Sequence, residues 1–127
     1  MSTKQSHANR EIPTAEAVSV AGMVSCQEGA VVSRTLIQRP AATITLFAFD
    51  EGQGLSEHTA PFDALAHVLE GEAEITVSGK AMVTKAGSAV LMPANRPHAL
   101  RALTRFKMLL TMIRSQAEKA DSSLRSE

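Results

Sequence analysis

The side chains best suited to chemistry in this chain are its four histidines and its single cysteine. A neutral imidazole can bind a first-row divalent metal ion or exchange a proton near neutral pH. His7 lies in a polar N-terminal stretch, where we expect it to be solvated. Cys26 has no second thiol with which to form a disulfide or a cysteine metal cluster. The search for a site therefore centres on His58, His67 and His98.

The elements that carry these histidines are predicted to be short β-strands. Between about residues 31 and 113, apolar runs of about four to eight residues alternate with clusters of Gly, Pro, Asn and Ser. This pattern is typical of many short strands and not of alternating strands and helices. Strands are predicted near 31–38, 43–49, 63–69, 72–77, 81–84, 89–92, 98–103 and 106–113, with a weaker candidate near 17–24. We therefore expect an all-β fold.

The segment around Gly71 predicts which side chains face the interior. Glu70-Gly71 suits a two-residue hairpin, because glycine tolerates the positive φ of such turns, so strands 63–69 and 72–77 are predicted to pair antiparallel. One face is then apolar and expected to point inward: Ala64, Ala66, Val68, Ala73, Ile75 and Val77. The opposite face of the first strand carries Asp63, Leu65, His67 and Leu69. His67 is therefore predicted to point away from the interior.

Length and charge predict one soluble domain. A chain of 127 residues has room for one core, expected at 17–114 between polar tails at 1–16 and 115–127. Lys plus Arg and Asp plus Glu both number 13, so no net field favours nucleic acid or an anionic membrane. The sequence also lacks a secretory signal and any run of about 20 apolar residues. We expect a cytoplasmic protein without nucleic-acid or membrane partners.

Two motifs between Gly52 and Ala102 resemble the two motifs of the cupin superfamily. The first family pattern, G-x5-H-x-H-x3,4-E-x6-G, falls on Gly52, His58, Ala60, Ala64 and Gly71. The second, G-x5-P-x-G-x2-H-x3-N, falls on Gly87, Pro93, Asn95, His98 and Ala102. The spacing holds throughout, but Ala60 replaces a histidine, Ala64 a glutamate, and Ala102 an asparagine. Asn95 replaces a glycine, and because asparagine tolerates positive φ, we expect the turn to survive.

The resemblance implies an RmlC-like cupin barrel, a jelly roll that is also described as a double-stranded β-helix. The phrases HTAPFDAL, VLEGEAEI and MPANRPHAL are similar to those of small single-domain cupins, of the cupin_2 conserved barrel type, whose function is unassigned. Such proteins are commonly dimers, so we expect a homodimer. Leu65 and Leu69, on the predicted outer face, need cover from the N-terminal segment or from a second chain.

The resemblance also implies the residues of a site. In cupins that bind a metal, two His and the Glu of the first motif and the His of the second converge on Mn, Fe, Ni, Cu or Zn. Of that set this chain keeps His58 and His98, so a divalent metal is expected to be weakly bound or absent. Gln53, Glu57, Asp63 and His67 are candidates for a third ligand, and none can be chosen. The ligand-binding residues are expected to be His58, His98, Ala60, Ala64, Ala66 and Val68.

The expected function is the binding of a small organic ligand, with or without a divalent metal, in a pocket marked by His58 and His98. Methyl groups at the missing ligand positions make that pocket mainly apolar, which favours uncharged or weakly polar ligands. The alternative is a metal-dependent cupin enzyme: a dioxygenase, isomerase or decarboxylase on a small substrate. A metal-free barrel with purely structural histidines also stays open, because fold does not determine function. No catalytic residue can be named.

Overall fold

The computed structural model describes residues 11–114, which form nine β-strands in two antiparallel sheets. The strands are β1 (Val31–Gln38), β2 (Ala42–Phe49), β3 (Gly54–His58), β4 (Phe62–Glu70), β5 (Glu72–Val77), β6 (Lys80–Lys85), β7 (Ala89–Met92), β8 (His98–Ala102) and β9 (Phe106–Arg114). The all-β prediction is confirmed. Nothing helical in this range is long and apolar enough to cross a membrane.

The two sheets pack around one apolar core. The large sheet has the strand order β1-β2-β9-β4-β7, and the small sheet has the order β3-β8-β5-β6. Phe49 and Phe106 stack at the core with ring centroids 4.5 Å apart, and neither exposes any surface. The large sheet also contributes Ala64, Ala66, Val68, Met92, Met108 and Leu110, and the small sheet contributes Ala73, Ile75, Leu100 and Ala102. Burial of these aliphatic and aromatic side chains holds the sheets together.

The hairpin predicted at Glu70-Gly71 is wrong, because the chain changes sheet there. β4 pairs with β7 and β9 in the large sheet, whereas β5 pairs with β6 and β8 in the small sheet. Gly71 makes the crossing with φ +78°, and a Cβ at this position would meet the Arg105 carbonyl oxygen and lie 2.8 Å from Phe106 Cβ. The glycine is thus required for close packing against another part of the backbone and not for a two-residue turn.

The strand β3 was not predicted from the sequence. Its five residues, GLSEH, contain one large apolar side chain, Leu55, and four of the five are exposed. β3 is an edge strand that pairs with β8 alone. A strand of this kind has no apolar run to reveal it. The omission of this strand matters for the candidate site, because β3 ends at His58.

The N-terminal segment, residues 11–30, covers part of the outer face of the large sheet. The weak strand candidate near 17–24 is wrong, since a 3₁₀ helix, Val20–Met23, occupies it and packs over the sheet instead of joining an edge. Ile12 lies within the predicted tail 1–16, yet its N–H donates to the Leu36 carbonyl at 2.9 Å and its side chain packs on the sheet. Residues 1–10 of that tail, and the tail 115–127, lie outside the described residues.

The N-terminal segment covers only one of the two leucines, Leu65 and Leu69, on the outer face of β4. Leu69 packs against a small cluster that contains Val24 from the N-terminal segment. Leu65 is 42% exposed, and Leu91 and Ile113 on the neighbouring strands are also exposed. The outer face of the large sheet therefore keeps an uncovered apolar area around Leu65.

Candidate functional site

His58 and His98 are in contact in the small sheet. His58 ends β3, His98 begins β8, and the two are Cα partners across this antiparallel pair. Their ring centroids lie 4.4 Å apart, and the ring planes meet at 68°. The structure thus brings together the two histidines that the motif spacing selected. The rings are close enough for one small ligand to contact both.

A bulge in β3 sets the direction of His58. Leu55 pairs with Leu100, but the next pair is His58 with His98, so β3 uses one more residue than β8 over this step. Leu55 packs on the core. Strict alternation would therefore turn His58 away from the core side, three residues later. The extra residue of the bulge brings it back to the side of His98, as bulges near sites often do.

Backbone carbonyls fix the tautomer of both rings. His58 Nδ1 lies 2.8 Å from the Ser56 carbonyl oxygen, and His98 Nδ1 lies 3.3 Å from the Arg96 carbonyl oxygen. A carbonyl oxygen can only accept a hydrogen bond, so Nδ1 carries the hydrogen in each neutral ring. Nε2 then carries a lone pair. Histidines that bind metals are commonly held in this way.

The two imidazoles differ in their exposure. His58 is exposed, whereas only 7% of His98 is accessible. Burial lowers the pKa of His98, its contact with the Arg96 carbonyl opposes the shift, and the nearby His58 lowers the pKa further. His98 is therefore neutral at physiological pH. Its Nε2 can accept a hydrogen bond or coordinate a metal ion.

The histidine pair lies at the edge of the apolar core. Val77 on β5 is the Cα partner of His98, and the adjacent row of the small sheet consists of Leu55, Leu100 and Ile75. Leu100 is 4% exposed and Ile75 is fully buried. A ligand at the two rings would therefore meet polar nitrogen atoms beside an apolar surface.

The alanines and the valine predicted to line the pocket lie in the core and in one loop. Ala64, Ala66 and Val68 belong to the closed core, and the last two expose no surface. Ala60 lies in the loop between β3 and β4, where its carbonyl accepts a hydrogen bond from the Asn95 N–H at 2.7 Å. Asn95 has φ 64°, which confirms that it replaces glycine at a left-handed position. Contact between these four side chains and a ligand stays a prediction.

In the part of the chain that the structure describes, no third metal ligand joins the two histidines. Within residues 11–114, no group of three or more His, Cys, Asp or Glu side chains could hold a metal ion. Strand alternation predicted that Asp63 and His67 point away from the core, and the alternating burial along β4 confirms this. Asp63 instead accepts a hydrogen bond from the Ala94 N–H at 2.9 Å. The residues present therefore fit a two-imidazole site for Mn, Fe, Ni, Cu or Zn, but not the four-residue shell of metal-binding cupins.

One cavity lies near the histidines, and another lies beneath the N-terminal segment. Neither cavity is lined by His58 or His98. One, of about 560 Å³, opens between β6 and β7, and its lining includes Val77, Lys80, Met82, Val90, Leu91 and Arg96. The other, of about 300 Å³, is lined in part by Arg34, whose Nη1 donates to the Met23 carbonyl at 3.3 Å. Sequence reasoning missed the cations Lys80 and Arg96. They come from separate turns, and no local sequence pattern indicates that they line the same cavity.

Comparison with known proteins identifies the family. A family model described as the cupin domain matches residues 45–113, more than half of the chain, including both histidines and the strands from β3 to β8. The chain belongs to the cupin family. Among curated proteins, none matches this cupin.

Solved structures agree with this assignment. A conserved protein of unknown function from Streptococcus pyogenes is 35% identical, with 88% of this chain and 97% of that chain covered and a TM-score of 0.78. A cupin superfamily protein from Desulfitobacterium hafniense is 29% identical, with 84% and 98% covered and a TM-score of 0.78. An RmlC-like cupin from Shewanella frigidimarina is 21% identical, with 71% and 81% covered and a TM-score of 0.66. The RmlC-like cupin fold predicted from the motifs is confirmed.

Proposed function

We propose that this small cupin binds a small organic ligand at the His58–His98 pair. The proposal is supported above all by the contact between these two rings, each held through Nδ1 by a backbone carbonyl. With the hydrogen held on Nδ1, the Nε2 of each neutral ring is left to accept a hydrogen bond or to bind a metal ion. Little conformational entropy is then lost on binding, because the rings are already oriented.

The chemistry of the rings favours a ligand that donates a hydrogen bond. His98 is neutral because burial lowers its pKa, so its Nε2 accepts a hydrogen from a hydroxyl, phenol or protonated acid. The neighbouring side chains Leu55, Leu100 and Val77 are apolar. A ligand with one polar end and an apolar body suits this combination.

A divalent transition metal could take part together with that ligand. Two neutral imidazoles can coordinate Mn, Fe, Ni, Cu or Zn, and a bound ion would supply Lewis acidity at the site. Because only two protein donors are available, the remaining donors would be water or the ligand itself. We expect such an ion to be held weakly in the absence of ligand.

The second candidate function is a metal-dependent enzyme: a dioxygenase, isomerase or decarboxylase acting on a small substrate. It is favoured by the Nδ1 contacts, which resemble those of metal-binding histidines. It is weakened by Ala60 and Ala64, which stand where other cupins supply a histidine and a glutamate. Binding without turnover is therefore the preferred function.

The quaternary structure and location belong to the same proposal. A homodimer that buries the apolar area around Leu65 is supported by the exposure of Leu65, Leu91 and Ile113 on one face. A reducing cytoplasm suits the only cysteine, Cys26, which is a free thiol. The small-molecule ligand and the second copy of the chain are the partners that we propose.

A fragment screen observed by NMR tests the binding site. Phenols and short hydroxy acids, each with and without equimolar Zn²⁺, would be titrated into the protein at about pH 8, where His98 is neutral because burial lowers its pKa. We expect saturable shifts at the rings of His58 and His98, and a loss of affinity of about tenfold or more in His98→Ala. The matched control His67→Ala, on the outer face of β4, should bind as the parent does.

Two results would contradict the proposal. Binding that is equally strong in the parent and in His98→Ala would show that the rings do not contact the ligand. Equal loss in His67→Ala would show a general effect of histidine removal and not a site. Metal-dependent consumption of a fragment, abolished by His98→Ala, would favour the enzyme instead.

A further inference from the structure

The two sheets leave an open seam between the edge strands β6 and β7. β6 ends the small sheet and β7 ends the large sheet, and the two are not hydrogen-bonded to one another. The cavity of about 560 Å³ in this seam lies within the range of small-molecule sites, about 300–1,000 Å³. Met82 and Val90 form an apolar wall. Both are only partly buried, so this wall is open to solvent.

Two cations flank the apolar wall of the seam. Lys80 and Arg96 both line the cavity, and no Asp or Glu does. Neither cation has a carboxylate partner within ion-pair distance in the part of the chain that the structure describes. A neighbouring apolar surface and two unpaired positive charges are complementary to an amphipathic anion.

Backbone contacts hold the two cations on one side of the seam. The Ser78 N–H donates to the Pro97 carbonyl at 2.8 Å, which ties the turn between β5 and β6 to the loop before β8. Arg96 Nη1 donates to Ser78 Oγ at 3.4 Å across the same junction. Lys80 begins β6 directly after this turn. The positive charges are therefore placed by the fold and not only by flexible side chains.

We propose that the seam between β6 and β7 binds a small amphipathic carboxylate, whose anionic group lies between Lys80 and Arg96. Its apolar body packs on Met82 and Val90. The site is distinct from the histidine pair, because neither histidine lines this cavity. Val77 lies between the two sites, since it lines the cavity and is also the Cα partner of His98.

A titration with two matched probes tests the seam. 4-Phenylbutyrate and the uncharged 4-phenylbutanol would be added to the full chain and followed through backbone amide resonances. We expect saturable shifts at Val77, Met82 and Val90, with the carboxylate bound about fivefold more tightly than the alcohol. Added salt should weaken the binding of the carboxylate and leave the binding of the alcohol unchanged, since salt screens exposed charges.

Variants assign the charge preference to the two cations. The double variant Lys80→Gln/Arg96→Gln should bind the carboxylate about fivefold more weakly and the alcohol as before. Lys85→Gln removes a charge from the other end of β6 and should change the affinity for neither probe. His58→Ala should also leave both affinities unchanged, which separates this site from the proposed histidine site.

Three outcomes would overturn the proposal. The first is an absence of saturable shifts at the seam with either probe. The second is equal affinity for the carboxylate and the alcohol in the parent, or an unaltered preference in the double variant. The third is a seam whose resonances change with protein concentration and not with probe, because a second copy of the chain would then occupy it.

Discussion

The inner faces of the two sheets have different chemistry. The large sheet contributes Ala64, Ala66 and Val68, which are buried and apolar, and none of the three can bind an ion or accept a hydrogen bond through its side chain. The small sheet contributes His58 and His98, whose rings are in contact at its edge. Both sheets thus contribute to the core, but the polar groups of the candidate site come from the small sheet.

This contrast explains what the site lacks. In metal-binding cupins the missing histidine and glutamate would occupy the positions of Ala60 and Ala64, in the loop before the large sheet and on its strand β4. Here those positions carry methyl groups, so the polar groups come from one side only. The difference teaches that a cupin can keep its fold with alanine at both of these positions.

The largest expected effect comes from breaking the connection between the sheets. Gly71→Ala should destabilise the protein by at least about 3 kcal/mol, because a Cβ would meet the Arg105 carbonyl oxygen at a positive φ. Urea denaturation measures the change. Gly87→Ala is the matched control: its φ is +94°, but nothing lies within 4 Å of the added Cβ, so a cost of about 1–2 kcal/mol is expected. Equal costs would mean that close packing at Gly71 is unimportant.

Restoring polar groups on the side of the large sheet should create a metal site. Ala60→His/Ala64→Glu should be less stable than the parent without metal, because Ala64 is 3% exposed and a carboxylate there is desolvated. At a Zn²⁺ concentration of about 100 times Kd, the variant should gain about 2.7 kcal/mol, measured by thermal unfolding. The same gain in the parent would contradict the contrast between the sheets. Adding His67→Ala to the variant should change the gain little.

The buried histidine should make stability depend on pH. Burial lowers the pKa of His98 below its ordinary value of 6.5, so as the pH falls through 6.5 the unfolded chain takes up the proton before the folded protein does. The free energy of unfolding should therefore decrease as the pH falls from 6.5 towards the lowered pKa. His98→Asn should remove this slope in urea titrations. A parent without the slope, or a variant that keeps it in full, would contradict the assigned environment of His98.

The smallest effect on the folded chain is expected on the outer face of the large sheet. Leu65→Asp should change the stability of one chain by no more than about 0.5 kcal/mol, because Leu65 is already 42% exposed. It should nevertheless weaken the proposed dimer about tenfold or more, as measured by sedimentation. Val83→Asp, at a 59% exposed position on β6, is the control and should leave assembly unchanged. A monomeric parent at micromolar concentration would exclude the dimer.

The sequence predicted the inward faces better than the strand pairing. Alternation along β4 is a local property, so it identified Ala64, Ala66 and Val68 as buried even though the hairpin with β5 was wrong. The change of sheet at Gly71 depends on contacts with Arg105 and Phe106, which are distant in sequence. A local turn signal cannot distinguish a hairpin from such a crossing.

The sequence located the histidines but not their surroundings. Motif spacing selected His58 and His98, because the family pattern fixes their positions relative to the turns. The bulge that redirects His58 lies in β3, which lacks an apolar run. Lys80 and Arg96 line the same cavity because two turns are tied together by hydrogen bonds. These features depend on tertiary structure.

The carbonyls of Ser56 and Arg96 hold both imidazoles with Nε2 as the acceptor. Nitrogen-15 NMR of histidine-labelled, metal-free protein at about pH 8 reads the tautomer of each ring directly. We predict the Nδ1–H form for His58 and for His98. An Nε2–H form in either ring would contradict the account, because that ring could then neither accept a ligand hydrogen through Nε2 nor coordinate a metal ion there.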